Sequence, residues 1–331
     1  MTVENLYMKR SYGMSLQILS FINLSDKRIE LLHKNRPGCN VVCRHPREAT
    51  DFLPYTDILL GYDAQINMDT LLWQMPKLQW VHTYSAGVEN ILSSVSFSQS
   101  NILLTNSRGI HGIPMAEHIL GTMLLVSRCL IEAWENQKSH QWKRLTNPDE
   151  LYGKTATIIG LGSIGREVAK HLKSIGMHVL AVKQKESVEP FVDKLFTMEH
   201  LQESLSNADY VIVTLPLTPQ TKNLFNHMTF DMMKETSFFI NVSRGAIVNE
   251  DDLIKALKSN RLRGAALDVF STEPLPENSP LWDVSNLLIT PHYSAVSPMY
   301  LDRSLKVFGN NLQLFPQSNE MINVVDKIRG Y

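Results

Sequence analysis

The stretch Thr155–Gly165 reads TATIIGLGSIG, an apolar run that leads directly into glycines at positions 160, 162 and 165. The glycines have the spacing GxGxxG, and an amphipathic segment, SIGREVAKHLKSIG, begins within them. In such a strand, turn and helix, Gly160 permits a tight turn, Gly162 lets the backbone approach a pyrophosphate, and Gly165 lets helix and strand pack closely. The stretch therefore predicts a dinucleotide-binding βα unit.

The helix predicted after the turn begins near Ser163 and Ile164. The first N–H groups of a helix have no partner within it and carry a partial positive charge, which suits a phosphate group. Glycines with this spacing also occur in turns that serve packing alone, so the pattern by itself leaves a purely structural turn open. Its position in the middle of the chain indicates that a whole domain precedes it.

The next predicted strand, HVLAV, ends at Lys183. In NAD-specific proteins an Asp or Glu at this point accepts hydrogen bonds from the ribose hydroxyls, and its charge repels a 2′-phosphate. A lysine removes that repulsion and adds a cation that can pair with the phosphate. We therefore predict NADP as the preferred cofactor, with NAD as the alternative if Lys183 is only solvated.

Short apolar or β-branched runs alternate with helical stretches along most of the chain. Before the glycines the runs are LQILSFI, NVVCR, DILLG, LQWVHT and NILLT; from the glycines onward they are TATIIG, HVLAV, DYVIVTL, SFFINV, GAALDV and NLLIT. Alternating strands and helices predict parallel sheets covered by helices on both faces. We therefore predict an α/β protein with two doubly wound parallel-sheet domains, the second a Rossmann domain that binds NAD or NADP.

Two helical runs complete this layout. Ile113–Ile131 is apolar on nearly every side, which predicts one long helix buried between domains or against a second subunit. Pro298–Phe315 predicts a C-terminal helix. The expected domains are residues 1–106 with 296–331, and an inserted dinucleotide-binding domain over 107–295. Residues 1–13 are predicted to be an extension before the first strand rather than a signal peptide.

The 331 residues carry a formal charge of -1 and no long run of one sign, so neither nucleic acid nor an anionic membrane is indicated as a partner. No apolar run approaches the roughly 20 residues of a bilayer-spanning helix. Three cysteines are too few for a disulfide framework, which favours the cytoplasm. Four potential zinc ligands cluster with spacings of no common zinc site, so no metal is predicted: His33, Cys39, Cys43 and His45.

Charged side chains follow three of the predicted strands in the second half of the chain. Arg244 follows SFFINV, Asp268 and Glu273 follow GAAL, and His292 follows NLLIT. Because parallel strands end at one edge of a sheet, these groups are expected at the edge where α/β folds bind ligands. Singly, each could be a surface ion-pair partner, a turn residue or a structural histidine. Together, behind a dinucleotide fingerprint, they suit a 2-oxo acid substrate.

Seven stretches between Val81 and Pro298 together resemble the D-isomer-specific 2-hydroxyacid dehydrogenase family, and within it the glyoxylate/hydroxypyruvate reductase-like branch. They are HTYSAGVEN, GIPMAEHILG, GKTATIIGLGSIG, VTLPLTPQT, NVSRGAIVNEDDL, LDVFSTEPLP and ITPH. The resemblance implies NAD(P)H-dependent reduction of a small 2-oxo acid to the D-2-hydroxy acid. It also implies a flavodoxin-like substrate domain, an active site and cofactor in the cleft between domains, and a homodimer held largely through the nucleotide-binding domains.

The resemblance also implies the roles of the charged residues. His292 would be the general acid that protonates the carbonyl oxygen of the substrate, since histidine ordinarily titrates near pH 6.5 and exchanges protons around neutrality. Glu273 would hold the other ring nitrogen and favour the imidazolium by its charge. Arg244 would bind the substrate carboxylate, because a guanidinium matches paired oxygens with a fork of donors.

Further positions follow from the resemblance, and each could equally be a turn or packing residue. The loop of Ser85, Ala86, Gly87 and Val88 would hold the substrate carboxylate through backbone N–H groups. Asp268 would lie near the nicotinamide carboxamide. The adenosine pocket would be lined by Leu215, Pro216 and Thr221. Candidates for the substrate pocket are Tyr84, Trp142 and Trp282.

Two other classes of protein were weighed against this prediction. A short-chain dehydrogenase needs a tyrosine followed four positions later by lysine, and no tyrosine in the chain has that neighbour. The alternative that stays open is an NAD(P)-sensing binding protein, similar to a co-repressor, on the same fold. Such a protein can retain the arginine, glutamate and histidine, so these residues do not separate it from an enzyme.

Overall fold

The computed structural model describes residues 15–62, 66–185 and 187–330. The prediction for residues 1–13 lies outside these ranges. The chain divides into two compact units, Met1–Ile110 with Pro298–Tyr331, and His111–Ser297. The predicted boundaries differ from these by a few residues at each crossing, and each unit is described by itself below.

The first unit is built on five parallel strands. They are β1 (Gln17–Ser20), β2 (Asn40–Cys43), β3 (Ile58–Leu60), β4 (Trp80–Thr83) and β5 (Leu103–Asn106), in the order β2-β1-β3-β4-β5. The helices between them are α1 (Asp26–Asn35), α2 (Met68–Gln74), α3 (Glu89–Leu92) and α4 (Val95–Gln99). This strand order is that of flavodoxin-like sheets, so the predicted fold class of the unit is confirmed.

The second unit contains a sheet of seven parallel strands. They are β6 (Thr155–Ile159), β7 (His178–Val182), β8 (Lys194–Phe196), β9 (Tyr210–Val213), β10 (Phe238–Asn241), β11 (Gly264–Leu267) and β12 (Leu287–Ile289). Their order, β12-β11-β10-β9-β6-β7-β8, is the Rossmann order 3-2-1-4-5-6 with one further strand at the end. The order of the strands changes direction between the neighbours β6 and β9, and the glycine turn follows β6 at that point.

Helices cover this sheet on both faces and bury an apolar core on each. They are α5 (Gly112–Ser127), α7 (Ser163–Ser174), α8 (Leu201–Ser206), α9 (His227–Phe230) and α10 (Glu250–Lys258). The helix α6 (Leu130–Lys138) follows α5 along the chain and buries none of its residues. A last helix, α11 (Tyr300–Leu314), belongs to the first unit and packs on α1. Short 3₁₀ turns lie at Pro46–Glu48, Leu53–Tyr55, Met198–His200, Gly245–Ile247, Pro280–Asp283 and Ser318–Glu320.

Two features differ from the sequence prediction. Strand β8 was not predicted, because Lys194–Phe196 contains only two apolar residues, Leu195 and Phe196, which is too short an apolar run to recognise as a strand. The predicted single helix over Ile113–Ile131 was wrong, because the chain bends by 65° between α5 and α6. At the bend Cys129 has φ 55, a left-handed conformation that no glycine or proline signalled.

Within the single chain this run is only partly buried, and its predicted burial against a second subunit stays a prediction. Residues such as Ile119 and Met123 are fully buried, whereas Leu124, Leu130, Ile131 and Trp134 are each at least 40% exposed. No single helix among the described residues is long and apolar enough to span a bilayer, and only the bent pair α5 and α6 meets that length and composition jointly.

The core of the first unit contains one buried histidine that makes its stability depend on pH. The Nδ1 atom of His82 lies 2.7 Å from the Thr105 hydroxyl and its Nε2 atom 3.2 Å from the Ser107 hydroxyl, so both ring nitrogens have partners. Burial lowers the pKa of His82 to about 3. The ring is therefore neutral in the folded chain at pH 7 and would have to lose its solvation to charge there.

We expect acid to destabilise the protein through His82. Between the usual pKa of 6.5 and about 3 the unfolded chain binds a proton that the folded chain does not, so stability falls as pH falls through this window. From pH 7 to pH 5 the wild type should lose about 2 kcal/mol more unfolding free energy than His82→Gln, measured by denaturant titration at both values. Equal pH dependence of the two proteins would contradict this.

Candidate functional site

The turn after β6 has the geometry that its glycines predicted. Gly160 has φ +102, and a Cβ there would lie 2.9 Å from the backbone nitrogen of Leu215. A Cβ at Gly165 would overlap the carbonyl oxygen of Gly160, so α7 crosses β6 too closely for any side chain. A Cβ at Gly162, in contrast, would meet no protein atom within 4 Å. The second glycine therefore borders open space, which is where a pyrophosphate would approach.

The N-terminus of α7 faces the same turn with unused donors. Within the described residues, the N–H groups of Ser163, Ile164 and Gly165 have no protein acceptor, and no acidic residue lies in the first turn. The Thr214 hydroxyl donates to the Gly160 carbonyl oxygen at 2.6 Å and closes the other side of the turn. Free N–H groups at a helix N-terminus beside a bare glycine fit the phosphates of a dinucleotide.

Gly162 and Gly165 should respond oppositely to replacement by alanine. Because its Cβ meets no protein atom, Gly162→Ala should change the unfolding free energy by less than about 1 kcal/mol. It should nevertheless weaken cofactor binding at least about tenfold, since the methyl group enters the space left for phosphate. Gly165→Ala should lower the melting temperature instead. Thermal unfolding and fluorescence titration with NADPH measure both; intact binding in Gly162→Ala would contradict the assignment.

The end of β7 contains an ion cluster that the sequence prediction missed. The Lys183 ammonium donates to the Ser187 hydroxyl at 3.0 Å and to Glu189 Oε1 at 2.9 Å. Arg166 donates two hydrogen bonds to the same carboxylate, from Nε to Oε2 at 2.8 Å and from Nη2 to Oε1 at 2.9 Å. The predicted cation at the strand end is therefore present, but it is paired with an acid of its own loop.

The carboxylate of Glu189 is held firmly in its ionised form. Its side chain is only 6% exposed, against 26% for Lys183 and 49% for Arg166. The hydrogen bonds from Arg166, and then those from Lys183 and Ser187, hold the pKa of Glu189 well below its usual range despite burial. The sequence offered a weak signal for both partners, because Arg166 directly follows the third glycine and Glu189 lies in the loop after Lys183.

Arg244 follows β10 and begins the 3₁₀ turn Gly245–Ile247. Its carbonyl oxygen accepts from Asn241 Nδ2 at 3.1 Å, and its Nη1 donates to the Ser243 carbonyl oxygen at 2.8 Å. Gly245 lies directly against the Phe270–Ser271 peptide, where a Cβ would overlap backbone atoms. This contact brings the loop of Arg244 against the loop after β11. The guanidinium is half-buried at the carboxyl edge of the sheet.

His292 and Glu273 form a hydrogen-bonded pair. Nδ1 of His292 lies 2.6 Å from Oε2 of Glu273, and the other carboxylate oxygen accepts from the Phe270 N–H at 2.9 Å. The imidazole is 51% exposed, so its Nε2 side remains accessible. An ionised Glu273 orients the ring by accepting the Nδ1 proton, which leaves Nε2 to exchange a proton with a bound molecule. The structure thus brings together this predicted pair.

The Asp268 carboxylate is buried and holds the turn on which His292 lies. Its Oδ1 accepts from the Thr290 hydroxyl at 2.6 Å and the Tyr293 N–H at 3.1 Å, and its Oδ2 accepts from the Ser294 N–H at 3.0 Å. The Asp268 carbonyl oxygen accepts from the His292 N–H at 2.8 Å. His292 has φ 51, a left-handed conformation, and these bonds hold it there.

Two histidines near this edge were not singled out from the sequence. His111 is buried, and burial together with the nearby Arg244 charge lowers its pKa to about 4. His118 lies edge-on to the Tyr293 ring at 5.4 Å; burial lowers its pKa although the charge of Asp268 opposes the shift. His118 belongs to the stretch GIPMAEHILG, and His111 lies just before it.

The predicted carboxylate-binding loop lies in the first unit. The Ser85 hydroxyl donates to the Gly87 carbonyl oxygen at 2.6 Å, and Asn106 Nδ2 donates to the Ala86 carbonyl oxygen at 2.7 Å. Among the described residues, no protein acceptor meets the N–H groups of Ala86, Gly87 and Val88. The loop is therefore closed on its carbonyl side and offers donors on the other, as an anion-binding loop would.

The remaining predicted positions have mixed surroundings. Leu215 packs on the glycine turn, and the Thr221 hydroxyl donates to the Pro216 carbonyl oxygen at 2.7 Å, so Thr221 closes its own loop. Tyr84 is buried in the core of the first unit, whereas Trp142 is fully exposed and Trp282 is 51% exposed. In the described ranges, no group of three or more histidine, cysteine or acidic side chains could hold a metal ion.

Sequence comparison finds curated relatives that cover most of the chain. A glyoxylate reductase of Thermofilum pendens is 34% identical over 245 residues, which is 72% of this chain and 71% of that protein. A D-3-phosphoglycerate dehydrogenase of Synechocystis is 34% identical over 249 residues, 75% of this chain. The match spans 45% of that longer protein, so this chain covers less than half of its length.

Solved structures match nearly the whole chain. A D-isomer specific 2-hydroxyacid dehydrogenase family protein of Aeromonas salmonicida superposes with a TM-score of 0.84 and 32% identity over 95% of this chain and 99% of that one. An NADPH-dependent glyoxylate/hydroxypyruvate reductase of Sinorhizobium meliloti, solved with NADP and sulfate, gives 0.80 and 26% identity over 96% of this chain and 100% of that one.

The Rossmann sheet and its glycine turn define a dinucleotide-binding fold. Residues 120–294 match the sequence model of the D-isomer specific 2-hydroxyacid dehydrogenase family, NAD binding domain. With these relatives and structures, the match shows that the chain belongs to the D-isomer specific 2-hydroxyacid dehydrogenase family. The resemblance seen in the sequence, including the glyoxylate/hydroxypyruvate reductase-like branch, is confirmed. The protein is an oxidoreductase that acts on CH–OH groups with a nicotinamide cofactor.

Proposed function

We propose that the protein reduces a small 2-oxo acid of the glyoxylate or hydroxypyruvate type to the D-2-hydroxy acid. The observation that supports this most strongly is the 2.6 Å pair of His292 and Glu273 on the sheet edge that also presents Arg244. A guanidinium for a carboxylate and an oriented imidazole for a carbonyl oxygen are what a 2-oxo acid requires. Relatives named glyoxylate reductase support the substrate class.

In this proposal each charged residue has one task. Arg244 binds the carboxylate of the substrate and orients its oxo group. His292 donates its Nε2 proton to the carbonyl oxygen as that oxygen becomes an alcohol, and takes a proton back in the reverse direction. Glu273 accepts the Nδ1 proton throughout and stabilises the ring whenever it is charged. A bound reduced nicotinamide supplies the hydride. Separately, the N–H groups of Ala86, Gly87 and Val88 in the first unit are proposed as donors to a carboxylate.

The cofactor is proposed to lie on the glycine turn of the second unit. Gly160 and Gly165 shape the turn, and Gly162 with the N–H groups of Ser163 and Ile164 holds the pyrophosphate. The adenosine is proposed to pack near Leu215, Pro216 and Thr221. Asp268 is proposed to act near the nicotinamide carboxamide, although both of its oxygens already hold the turn of His292.

We further propose that NADP(H) is preferred over NAD(H). Lys183 and Arg166 place two cations at the end of β7, where NAD-specific proteins have an acid. Two structural neighbours were solved with NADPH or NADP, which supports this direction. The ion cluster contains one acid, Glu189, so the net charge there is positive but small.

A spectrophotometric panel tests the proposed reaction. The purified protein should oxidise NADPH faster than NADH in the presence of glyoxylate or hydroxypyruvate, and a chiral assay of the hydroxypyruvate product should find the D-isomer. Larger 2-oxo acids serve as the comparison for the pocket. Tight cofactor binding with no turnover on any 2-oxo acid would refute the proposal and favour the NAD(P)-sensing, co-repressor-like alternative.

The partner and location proposals rest on other features. We propose a homodimer through the second unit, because α5 and α6 expose Leu124, Leu130, Ile131 and Trp134 on adjoining helices. Light scattering should then give twice the chain mass.

The three free cysteines, Cys39, Cys43 and Cys129, support a cytoplasmic location, where thiols stay reduced. The Cys39 thiol is buried in the core, and burial raises its pKa, which disfavours a metal-binding thiolate.

A further inference from the structure

The loop between β7 and β8 contains an acid whose position neither the fold nor the proposed reaction explains. Within the part of the chain that the structure describes, Glu189 accepts hydrogen bonds from three donors, Lys183, Ser187 and Arg166. Its side chain is 6% exposed, the least of the three charged members. A carboxylate loses solvation when it is buried, and it is stable there only when charged or hydrogen-bonding partners compensate for that loss.

The two cations keep further donors outside the cluster. Lys183 uses two of its three ammonium protons on Ser187 and Glu189, and Arg166 uses its Nε and Nη2 atoms on Glu189. The Arg166 side chain is 49% exposed, and no hydrogen bond to a described residue occupies its Nη1 atom. An anion reaching the end of β7 would therefore meet both cations from the solvent side, with the carboxylate behind them.

We propose that Glu189 is a specificity-determining residue of the cofactor site: its carboxylate competes with the 2′-phosphate of NADP(H) for Lys183 and Arg166, and so limits the preference for NADP(H) over NAD(H). This inference rests on the proposed binding of the adenine ribose at the end of β7. It assigns to Glu189 the task that the acid at the strand end has in NAD-specific proteins, reduced in strength because two cations neutralise it.

Electrostatics gives the direction of the effect. Two positive charges and one negative charge leave a net charge of one at the cluster, and removing the carboxylate would double it. A 2′-phosphate responds to that charge, whereas a 2′-hydroxyl does not. Because both cations are partly exposed, water and salt screen the change, and we expect a gain of about tenfold rather than several orders of magnitude.

Glutamine at position 189 is the sharpest substitution. Glu189→Gln keeps the size of the side chain and an oxygen that accepts from Arg166, but removes the charge. In isothermal titration at low salt we expect NADP⁺ to bind about tenfold tighter, roughly 1.4 kcal/mol, and NAD⁺ to bind within about twofold of the wild type. Adenosine 2′,5′-bisphosphate should repeat the gain and 5′-AMP should not. Unchanged or weaker NADP⁺ binding by the folded variant would overturn the proposal.

A double-mutant cycle separates this role from a purely structural one. Because Glu189 occupies both Lys183 and Arg166, the gain should be smaller when Glu189→Gln is combined with Lys183→Gln than when it is made alone. A gain in NADP⁺ affinity that persists undiminished in the double variant would overturn the proposal. The proposal would also be overturned if neither NADP⁺ nor NAD⁺ bound to the wild type or to the variant. Circular dichroism and melting temperature report whether the variants fold.

Asp193→Asn is the matched control in the same segment. Asp193 also pairs with a lysine, since its oxygens lie 2.7 Å and 2.9 Å from the Lys173 ammonium, and it too follows β7. Its loss should leave the ratio of NADP⁺ to NAD⁺ affinity unchanged; an equal shift would overturn the assignment to Glu189. The titrations do not depend on turnover. A wild type that binds cofactor but reduces no 2-oxo acid would therefore refute the proposed function alone.

Discussion

We expect His292→Asn to lower kcat for 2-oxo acid reduction by about a thousandfold. A positioned general acid contributes about 10² to 10⁴ in rate, and asparagine cannot donate a proton of comparable acidity to the forming alkoxide. Because the imidazole is 51% exposed and, among the described residues, makes a side-chain hydrogen bond only with Glu273, its loss should not disturb the fold. Cofactor affinity should stay within about twofold, since nothing in the glycine turn depends on His292.

Steady-state kinetics with NADPH and glyoxylate, together with fluorescence titration of NADPH, measure both quantities. His227→Asn is the matched control, because Nδ1 of His227 also lies near a carboxylate, 3.5 Å from Asp252, and His227 has no task in the proposed reaction. That variant should retain wild-type kcat. A His292→Asn protein with near-normal turnover would exclude the proposed proton donor, whatever its cofactor affinity.

Glu273→Gln should reproduce part of the His292 defect. Glutamine can still bond to Nδ1 of the ring but no longer stabilises its positive charge, so kcat should fall less than in His292→Asn and the activity should shift to lower pH. The pH profile of kcat separates this loss of charge from a loss of packing. The Glu273→Gln and His292→Asn variants therefore test the same hydrogen-bonded pair.

We expect the second largest effect from Arg244→Lys. Lysine retains the positive charge but lacks the planar fork that bonds both oxygens of a carboxylate. We expect kcat/KM to fall by about 10² to 10³, which corresponds to roughly 3 to 4 kcal/mol of transition-state stabilisation. A higher KM should account for part of the loss and a lower kcat for the rest, since misplaced substrate is also poorly oriented for reaction.

Arg261→Lys is the control for this substitution. Its guanidinium is also partly buried and donates to the carbonyl oxygens of Asp231 and Met233 at 2.7 Å and 2.6 Å. The control should lower the melting temperature but leave kcat/KM within about twofold. If Arg244→Lys changes only stability and not kcat/KM, the guanidinium has a structural task, and the carboxylate of the substrate is bound elsewhere.

The sequence by itself determined the fold class and predicted the residues of the candidate site. The positive φ of Gly160 and the close approach of Gly165 to the Gly160 carbonyl oxygen are features of the turn itself, so the glycine spacing indicated a dinucleotide turn without any knowledge of distant contacts. Eleven of the twelve strands were predicted because apolar runs bounded by polar segments are likewise local. Arg244, Glu273 and His292 were predicted as site residues because each follows such a strand.

Only the tertiary structure decided how these groups are used. The bend at Cys129 and the edge strand β8 result from packing that no local signal records. The bonds of Asp268 to the turn of His292 and the pairing of Arg166 with Glu189 join residues that lie far apart in the sequence. The charge of a side chain follows from the sequence, whereas its hydrogen-bond partners depend on which segments the fold brings together. Lys183 was therefore predicted to be available for a phosphate, whereas in the folded protein Lys183 and Arg166 both donate hydrogen bonds to the Glu189 carboxylate.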